Sequence, residues 1–208
     1  MYVPSHFAET RVEVLHEAIR AAGLVALVTT GSSGLDASHI PVLLEPEPGP
    51  LGRLLGHLAR PNGQWSATAE GSPALAIVLG PDGYVTPSWY PSKRETGRVV
   101  PTWNYLAVHV HGPVRFFQER ERLLDVVTRL TERQERGRGQ PWKVSDAPPD
   151  YLDGMLKGIV GVELTITRIE GKWKASQNRT TPDRLGAAKG MREDGREAMG
   201  RLMDGDAK

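Results

Sequence analysis

Glycine and proline interrupt this chain so often that its apolar runs are short. The sequence has 23 Gly and 16 Pro in 208 residues, and many of them separate one apolar run from the next. Such punctuation predicts turns between short strands. No regular alternation of strands and helices is visible, which argues against a doubly wound α/β fold. We therefore expect a mainly β protein with peripheral helices, built as an antiparallel barrel.

Local patterns predict the individual elements. Apolar alternation or β-rich composition predicts strands over 23–31, 38–44, 51–58, 104–110, 114–117 and 160–167, and a hairpin over 74–86 that turns at Pro81-Asp82-Gly83. Helical spacing predicts helices over 8–22, 118–136 and 151–157. We expect one domain over residues 1–179, followed by a charged, weakly helical tail over 180–208.

Composition excludes several classes of site. The chain has no cysteine, which rules out disulfides, thiolate metal sites and a cysteine nucleophile. Its formal net charge is only +1, so no strongly basic balance points to nucleic acid. The first residues lack the basic and apolar segments of a signal peptide, and the longest apolar run, near Leu24–Val28, is too short to span a bilayer. We expect a soluble, cytoplasmic protein with no membrane partner.

An aromatic and polar stretch, Tyr84–Gly112, is the first indication of a ligand. It contains two of the five Trp and three of the five Tyr of the chain, mixed with Ser, Thr, Asn, Lys and His. Rings with polar tips make a poor core, because each buried tip needs a hydrogen-bond partner. They suit a surface that receives a flat, polar, aromatic ligand, so this stretch predicts a cofactor pocket.

The histidines of this stretch allow two interpretations. Spacing i, i+2 places His109 and His111 on one face of a strand, where they could supply two metal ligands together with His39 and His57. No carboxylate lies at ligand spacing beside them, and no HExxH motif occurs. The sequence favours polar lining residues over a metal site, and we assign no metal.

Two polar clusters have the chemistry of a phosphate site. Residues 60–64 combine a guanidinium, two amides and a glycine, and residues 172–179 combine three cations, a hydroxyl and two amides. Neither matches a known nucleotide loop, and each taken alone could be a solvated turn. No GxSxG or SxxK motif indicates a hydrolase, and no clear helix-turn-helix indicates direct DNA binding. We assign no catalytic residue.

Six segments in order resemble the PaiB family of bacterial proteins, the FMN-binding negative transcriptional regulators. They are MYVPSHF (1–7), SHIP (38–41), GHLARPNGQW (56–65), YVTPSWYPSK (84–93), VPTWNYLAVHVHG (100–112) and KWKASQNR (172–179). The resemblance runs from residue 1 to about residue 179. It implies an antiparallel FMN-binding split β-barrel related to the pyridoxamine-phosphate-oxidase-like flavoproteins, assembled as a homodimer with flavin at the subunit interface.

The resemblance also implies roles for individual residues. Arg60 and Asn62 would hold the FMN phosphate, together with Lys174, Ser176 and Gln177. His39, Ile40 and Pro41 would face the flavin ring, and Trp89, Trp103, Asn104 and Tyr105 would wall the site, with His109 and His111 on the same side. The remaining cofactor-binding residues are His57, Trp65, Ser88 and Lys93. Because Pro41 has no N–H to donate, its strand should be bulged or at an edge there.

Three functions remain open at this point. The family label implies a transcriptional regulator in a bacterium, acting on DNA directly or through a small molecule or partner protein. A flavin-dependent oxidoreductase using NAD(P)H is the alternative, since a bound flavin carries hydride chemistry itself. The third possibility is a module that holds flavin or haem without turnover.

Overall fold

The computed structural model describes residues 1–32 and 34–205. The strands in these residues are β1 (Ala8–Glu9), β2 (Val25–Gly31), β3 (Gly34–Ile40), β4 (Val42–Glu45), β5 (Arg53–Ala59), β6 (Pro73–Val85), β7 (Thr102–Phe117), β8 (Ile159–Thr165) and β9 (Arg168–Lys174). The helices are α1 (Val12–Ala21), α2 (Gln64–Ala67), α3 (Ser92–Thr96), α4 (Arg120–Glu135), α5 (Pro149–Lys157), α6 (Thr181–Glu193) and α7 (Glu197–Asp204). Short 3₁₀ turns occur at Ser5–Phe7, Pro87–Trp89 and Val144–Asp146.

The chain divides into two compact units. The central unit contains His16–Val78 and His109–Ile169. The terminal unit contains Met1–Leu15, Leu79–Val108 and the described chain from Glu170 onward. The backbone passes from one unit to the other within α1, β6, β7 and β9, so each unit draws on segments that are distant in sequence.

A curled antiparallel sheet forms the central unit. Its strands follow the order β3-β2-β6-β7-β8-β5-β4, so β3 and β4 are the two ends of the path. These two end strands are consecutive in the chain and are joined by Pro41 alone. The two edges of the sheet therefore meet at Pro41, which requires the sheet to curl round on itself. The result is a split barrel, because no ladder among the described residues joins β3 to β4.

The corner at Pro41 depends on a close approach by β5. Val42 pairs with Gly56 in the β4–β5 ladder. A Cβ atom on Gly56 would lie 2.8 Å from the carbonyl oxygen of Pro41 and 3.2 Å from the Ile40 side chain. Only a residue without a side chain allows β5 to run this close to the corner.

Helix α4 covers one face of this sheet. Its Leu123, Val126 and Leu130 are buried, and they pack in one cluster with Leu43, Leu55, Phe117 and Leu156 of the sheet and of α5. The apolar stripe that the sequence shows over 118–136 thus predicts this helix correctly. None of the helices in the described part of the chain is long and apolar enough to cross a membrane.

Several strand predictions differ from the structure. The strands predicted over 104–110 and 114–117 form one continuous strand, β7. The segment predicted as one strand over 38–44 is split at Pro41 into β3 and β4, as the missing N–H of proline dictates. The hairpin predicted around Pro81-Asp82-Gly83 does not form, and β6 runs without a turn from Pro73 to Val85. Gly83 serves close packing instead, because a Cβ there would lie 2.4 Å from the Met191 sulfur.

The end of the chain packs firmly in the terminal unit. Helices α6 and α7 are joined at Gly195, whose φ is 79°, and bury Ala187, Ala188, Met191, Met199 and Met203 in one cluster with Val85, Tyr90 and Ala175. Small residues and methionines let these two helices pack closely. The division at residue 179 stays a prediction.

A buried carboxylate fixes the start of α6. Asp183 is 4% exposed, and its two carboxylate oxygens accept hydrogen bonds from the Ser92 backbone N–H at 3.0 Å and the Ser92 hydroxyl at 2.7 Å. Burial alone would raise the pKa of Asp183, but these hydrogen bonds outweigh it and lower the pKa. Its charged form therefore stabilises the junction of α3 and α6 until acid pH protonates it.

We predict that Gly56→Ala lowers the free energy of unfolding by about 1–3 kcal/mol, because the added methyl group must push β5 away from the Pro41 carbonyl. Urea denaturation of both proteins measures the difference. The matched control is Gly23→Ala, because a Cβ at Gly23 meets no atom within 4 Å. Equal stability of Gly56→Ala and the parent protein would contradict the role of this close approach.

Candidate functional site

The predicted site residues fall into both units. His39, Ile40, Pro41, His57, Arg60, Asn62 and Trp65 belong to the central unit, and Ser88, Trp89, Lys93, Trp103, Asn104, Lys174, Ser176 and Gln177 belong to the terminal unit. The structure therefore defines two groups of candidates. The assignment of these residues to a cofactor stays a prediction.

The guanidinium of Arg60 is engaged by the protein itself. Its Nε donates to the Lys157 carbonyl at 2.5 Å, one Nη donates to the Gln118 side chain at 2.6 Å, and the other donates to the Ile159 carbonyl at 3.2 Å. These contacts hold the end of β5 against the residues at the start of α4 and β8. A guanidinium has five N–H groups, and three of them are used by described residues here. These contacts give Arg60 a structural role and leave two N–H groups that could bind an anion.

Asn62 also braces the loop that follows β5. Its Nδ2 donates to the Ser38 hydroxyl at 2.8 Å, and its Oδ1 accepts from the Gln64 backbone N–H at 2.9 Å. Trp65 donates from its indole N–H to the Arg60 carbonyl at 2.9 Å. The motif from Arg60 to Trp65 thus folds into a self-bonded loop that ties β3 to β5.

A polar network inside the central unit continues from this loop. Gln64 is 0% exposed, and its Nε2 donates to the Leu27 carbonyl at 3.0 Å and the Thr29 hydroxyl at 3.1 Å. Thr68 bonds Thr29 at 2.9 Å. The buried Oε1 of Gln64 has no hydrogen-bond partner among the described residues. Gln64 is one of the two amides of the polar cluster at 60–64, but it is not among the predicted cofactor-binding residues.

The histidines of the central unit differ in exposure. His39 is exposed, while His57 is half-buried, and its Nδ1 is a buried atom that no described residue bonds. Burial lowers the pKa of His57, which favours the neutral imidazole. The rings of His109 and His111 lie 6.2 Å apart between centroids, so they share a face of β7 as their spacing predicts.

Lys174 is the best-placed cation of the terminal unit. Its Nζ donates to the Thr102 hydroxyl at 2.5 Å and to the Trp103 carbonyl at 2.6 Å. Burial lowers the pKa of this ammonium, and the nearby charges of Lys172 and Arg179 lower it further. An ammonium has three N–H groups. Two of them bind acceptors among the described residues, which leaves one N–H to bind an anion.

The other residues of the late cluster mainly shape the backbone. Ser176 has a φ of 64°, and its hydroxyl accepts from the Nδ2 of Asn104 at 2.9 Å. Gln177 donates to the Trp173 carbonyl at 2.6 Å and accepts from the Ala175 N–H at 2.8 Å. Asn104 is 0% exposed, and its Oδ1 has no partner among the described residues.

An exposed aromatic pair lies next to Lys174. Trp103, whose carbonyl binds the Lys174 ammonium, is 49% exposed, and its ring centroid is 6.2 Å from that of Tyr84, which is 48% exposed. Tyr84 was not selected from the sequence as a site residue, although it opens the aromatic stretch. Its pairing with Trp103 depends on β6 and β7 being neighbours in the sheet.

The remaining candidates of the terminal unit differ in availability. The Trp89 indole packs against α6, because a Cβ on Gly190 would lie 2.3 Å from its ring. Ser88 and Lys93 are exposed, and the Lys93 ammonium donates to the Ser88 hydroxyl at 3.2 Å. A cation, a hydroxyl and an exposed ring pair in one unit form a donor set that fits a phosphorylated aromatic ligand.

Comparisons with known proteins agree with this chemistry. The family described as "Putative FMN-binding domain" matches residues 1–168. A Bacillus subtilis relative, the protease synthase and sporulation protein PAI 2, is 32% identical over 183 residues, covering 88% of this chain and 85% of the relative. An uncharacterized protein of Emericella nidulans is 34% identical over 233 residues, covering 95% and 93%.

A solved structure supports the fold. The FAD and heme binding protein of Mycobacterium smegmatis superposes with a TM-score of 0.58 at 18% identity, covering 80% of this chain and 73% of that one. The fold is that of the flavin-binding split barrels, which confirms the fold class expected from the sequence. The family match supports FMN as the cofactor, as the sequence predicted. The chain therefore belongs to the PaiB family of FMN-binding domain proteins.

Proposed function

We propose that this protein binds FMN through its terminal unit and acts as a regulator of the PaiB type. The main support for this binding site is the position of Lys174. Its ammonium donates a hydrogen bond to the backbone carbonyl of Trp103, whose side chain is exposed. The Lys174 ammonium would bind the phosphate, and the Trp103–Tyr84 pair would contact the flat ring. FMN, when bound, supplies a redox-active ring.

We predict that Lys174→Met weakens FMN binding by about 10- to 100-fold, because a hydrogen bond to a charged group contributes about 1.5–3 kcal/mol. Titration of the apoprotein with FMN, followed by flavin fluorescence, measures the dissociation constant. Riboflavin, which lacks the phosphate, should bind both proteins equally.

Lys189→Met is the control for loss of a lysine charge, since Lys189 is an exposed residue on α6 that pairs with Glu193 at 3.8 Å. Thermal melting shows whether either variant is unfolded. A folded Lys174→Met protein that binds FMN as tightly as the parent would refute the phosphate assignment.

We also propose that the protein forms a homodimer. The β2–β3 register pairs Val28 with Ala37 and Thr30 with Leu35, and the β2–β6 register pairs Val28 with Leu75. Paired residues share a sheet face, so these apolar side chains lie together on one face of the central unit. Leu35, at the edge strand β3, is 80% exposed. Such a face suits a second copy of the chain, and exposed His39 lies on the same face.

We predict that Leu35→Glu shifts the protein from dimer to monomer, because a charge in an apolar interface carries a desolvation cost. Sedimentation velocity at micromolar protein concentration measures the mass. Leu185→Glu is the matched control, because Leu185 is an exposed leucine, 46% accessible, on α6 of the terminal unit. A monomeric parent protein, or a dimeric Leu35→Glu variant, would contradict this interface.

The regulation we propose is indirect and cytoplasmic. The name of the Bacillus relative connects it with protease synthesis and sporulation, which supports a regulatory role. The short link between α6 and α7, which contains Gly195, is typical of a helix-turn-helix motif. The charges of this α6–α7 hairpin balance, however. The basic residues Arg184, Lys189, Arg192, Arg196 and Arg201 equal in number the acidic residues Asp183, Glu193, Asp194, Glu197 and Asp204. Binding to DNA phosphates relies on Lys and Arg side chains, and the α6–α7 hairpin has no excess of them.

We predict that the protein causes no saturable, sequence-specific shift of DNA from the promoter of its own gene. The measurement is a gel-shift assay at physiological salt, with and without FMN. The balanced charge of the α6–α7 hairpin is the reason. Competition with unrelated DNA of the same length controls for non-specific binding. A shifted band that is removed by unlabelled promoter DNA but not by unrelated DNA would show direct regulation. That result would overturn the indirect mechanism.

A further inference from the structure

An open cavity of about 570 Å³ lies in the central unit, in a region that contains none of the candidate cofactor residues. Helix α4 forms one wall with Leu124 and Thr128, α5 contributes Leu152, and the intervening loop contributes Trp142 and Val144. Small-molecule pockets in proteins typically have volumes of about 300–1,000 Å³ and mainly apolar linings. This cavity meets both conditions.

Trp142 gives the cavity an aromatic wall that solvent reaches. It is 48% exposed, and its position is fixed because its backbone N–H donates to a carboxylate oxygen of Glu135 at 3.1 Å. The backbone N–H of the next residue, Lys143, donates to a carboxylate oxygen of Asp146 at 2.9 Å. An exposed indole on an anchored loop offers a stacking surface with little entropy to lose on binding.

Two cations that line the cavity could bind an anion. Glu135 is neutralised, since its second carboxylate oxygen pairs with Arg138 at 3.2 Å. Arg136 and Lys143 also line the cavity, and neither has an ion-pair partner within the described residues. The carboxylate of Glu132, which likewise lines the cavity, offsets one of these two cations. The nearby carboxylate of Asp146 accepts a hydrogen bond from the Lys143 backbone N–H. The side chains of Arg136 and Lys143 are therefore two cations without a described ion-pair partner beside an apolar and aromatic surface.

We propose that this cavity binds an aromatic carboxylic acid. The ring would stack on Trp142 and contact Leu124 and Leu152, and the carboxylate would accept hydrogen bonds from Lys143 and Arg136. Such an acid gives the regulator a second, small-molecule input besides FMN. The inference rests on the central unit alone and does not depend on the proposed FMN site.

Three ligands with one ring and different charges test the proposal. Indole-3-acetate is an anion, tryptophol is its neutral counterpart and tryptamine is a cation. Isothermal titration calorimetry on the full protein should give binding in the order indole-3-acetate, tryptophol, tryptamine. We expect indole-3-acetate to bind about tenfold more tightly than tryptophol, which corresponds to one charge-assisted hydrogen bond.

Two variants locate the binding. Leu152→Trp should fill the cavity and abolish binding of indole-3-acetate, while FMN affinity stays unchanged. Lys143→Ala should reduce the preference for the acid over the alcohol to about one, without changing the affinity for tryptophol. Lys157→Ala is the matched control, because Lys157 is an exposed lysine on α5 that does not line this cavity.

The possible outcomes separate clearly. Binding in the expected order, lost in Leu152→Trp, supports the proposal whether or not the protein binds FMN. Tighter binding of tryptamine, or equal binding of acid and alcohol to the parent protein, overturns the anionic class of ligand. Absence of heat and of saturation-transfer signals with millimolar indole-3-acetate, or unchanged binding in a folded Leu152→Trp protein, overturns the site itself.

Discussion

The link of one residue between β3 and β4 constrains everything else in the central unit. These strands are the two ends of the sheet path, yet only Pro41 separates them. The sheet must therefore curl until its edges meet, and Pro41, without an N–H, cannot close the ladder there. The glycine at position 56 lets β5 approach the corner. Among the described strands, the edge strand β3 pairs with β2 alone, and its Leu35 and His39 are exposed.

Much of the fold could be predicted because local patterns decide it. Alternation in 160–167 and the apolar stripe in 118–136 specify β8 and α4 without knowledge of distant residues. Glycine was the main source of error, because it marks either a turn or a close contact. At Gly83 and Gly190 it accommodates Met191 and Trp89 from elsewhere in the terminal unit, and such contacts are not encoded in local spacing.

The chemistry of the site was easier to predict than the availability of its atoms. The sequence shows that Arg60 and Lys174 are both cations in polar clusters, but it does not show which N–H groups are already engaged. Arg60 uses three of its five N–H groups on its own chain, and Lys174 uses two of its three. Lys174 differs in that it lies beside an exposed indole. Tyr84 was not predicted as a site residue, because its ring partner Trp103 is distant in sequence.

FMN is the centre of this account, because the family, the fold and the donor set of the terminal unit agree on it. The most direct test is to purify the protein, denature it and identify the released flavin by mass spectrometry, with an absorbance spectrum of the intact protein for stoichiometry. We predict FMN at about one per chain. A protein that carries FAD or haem instead, or that takes up no FMN when reconstituted, would contradict the account.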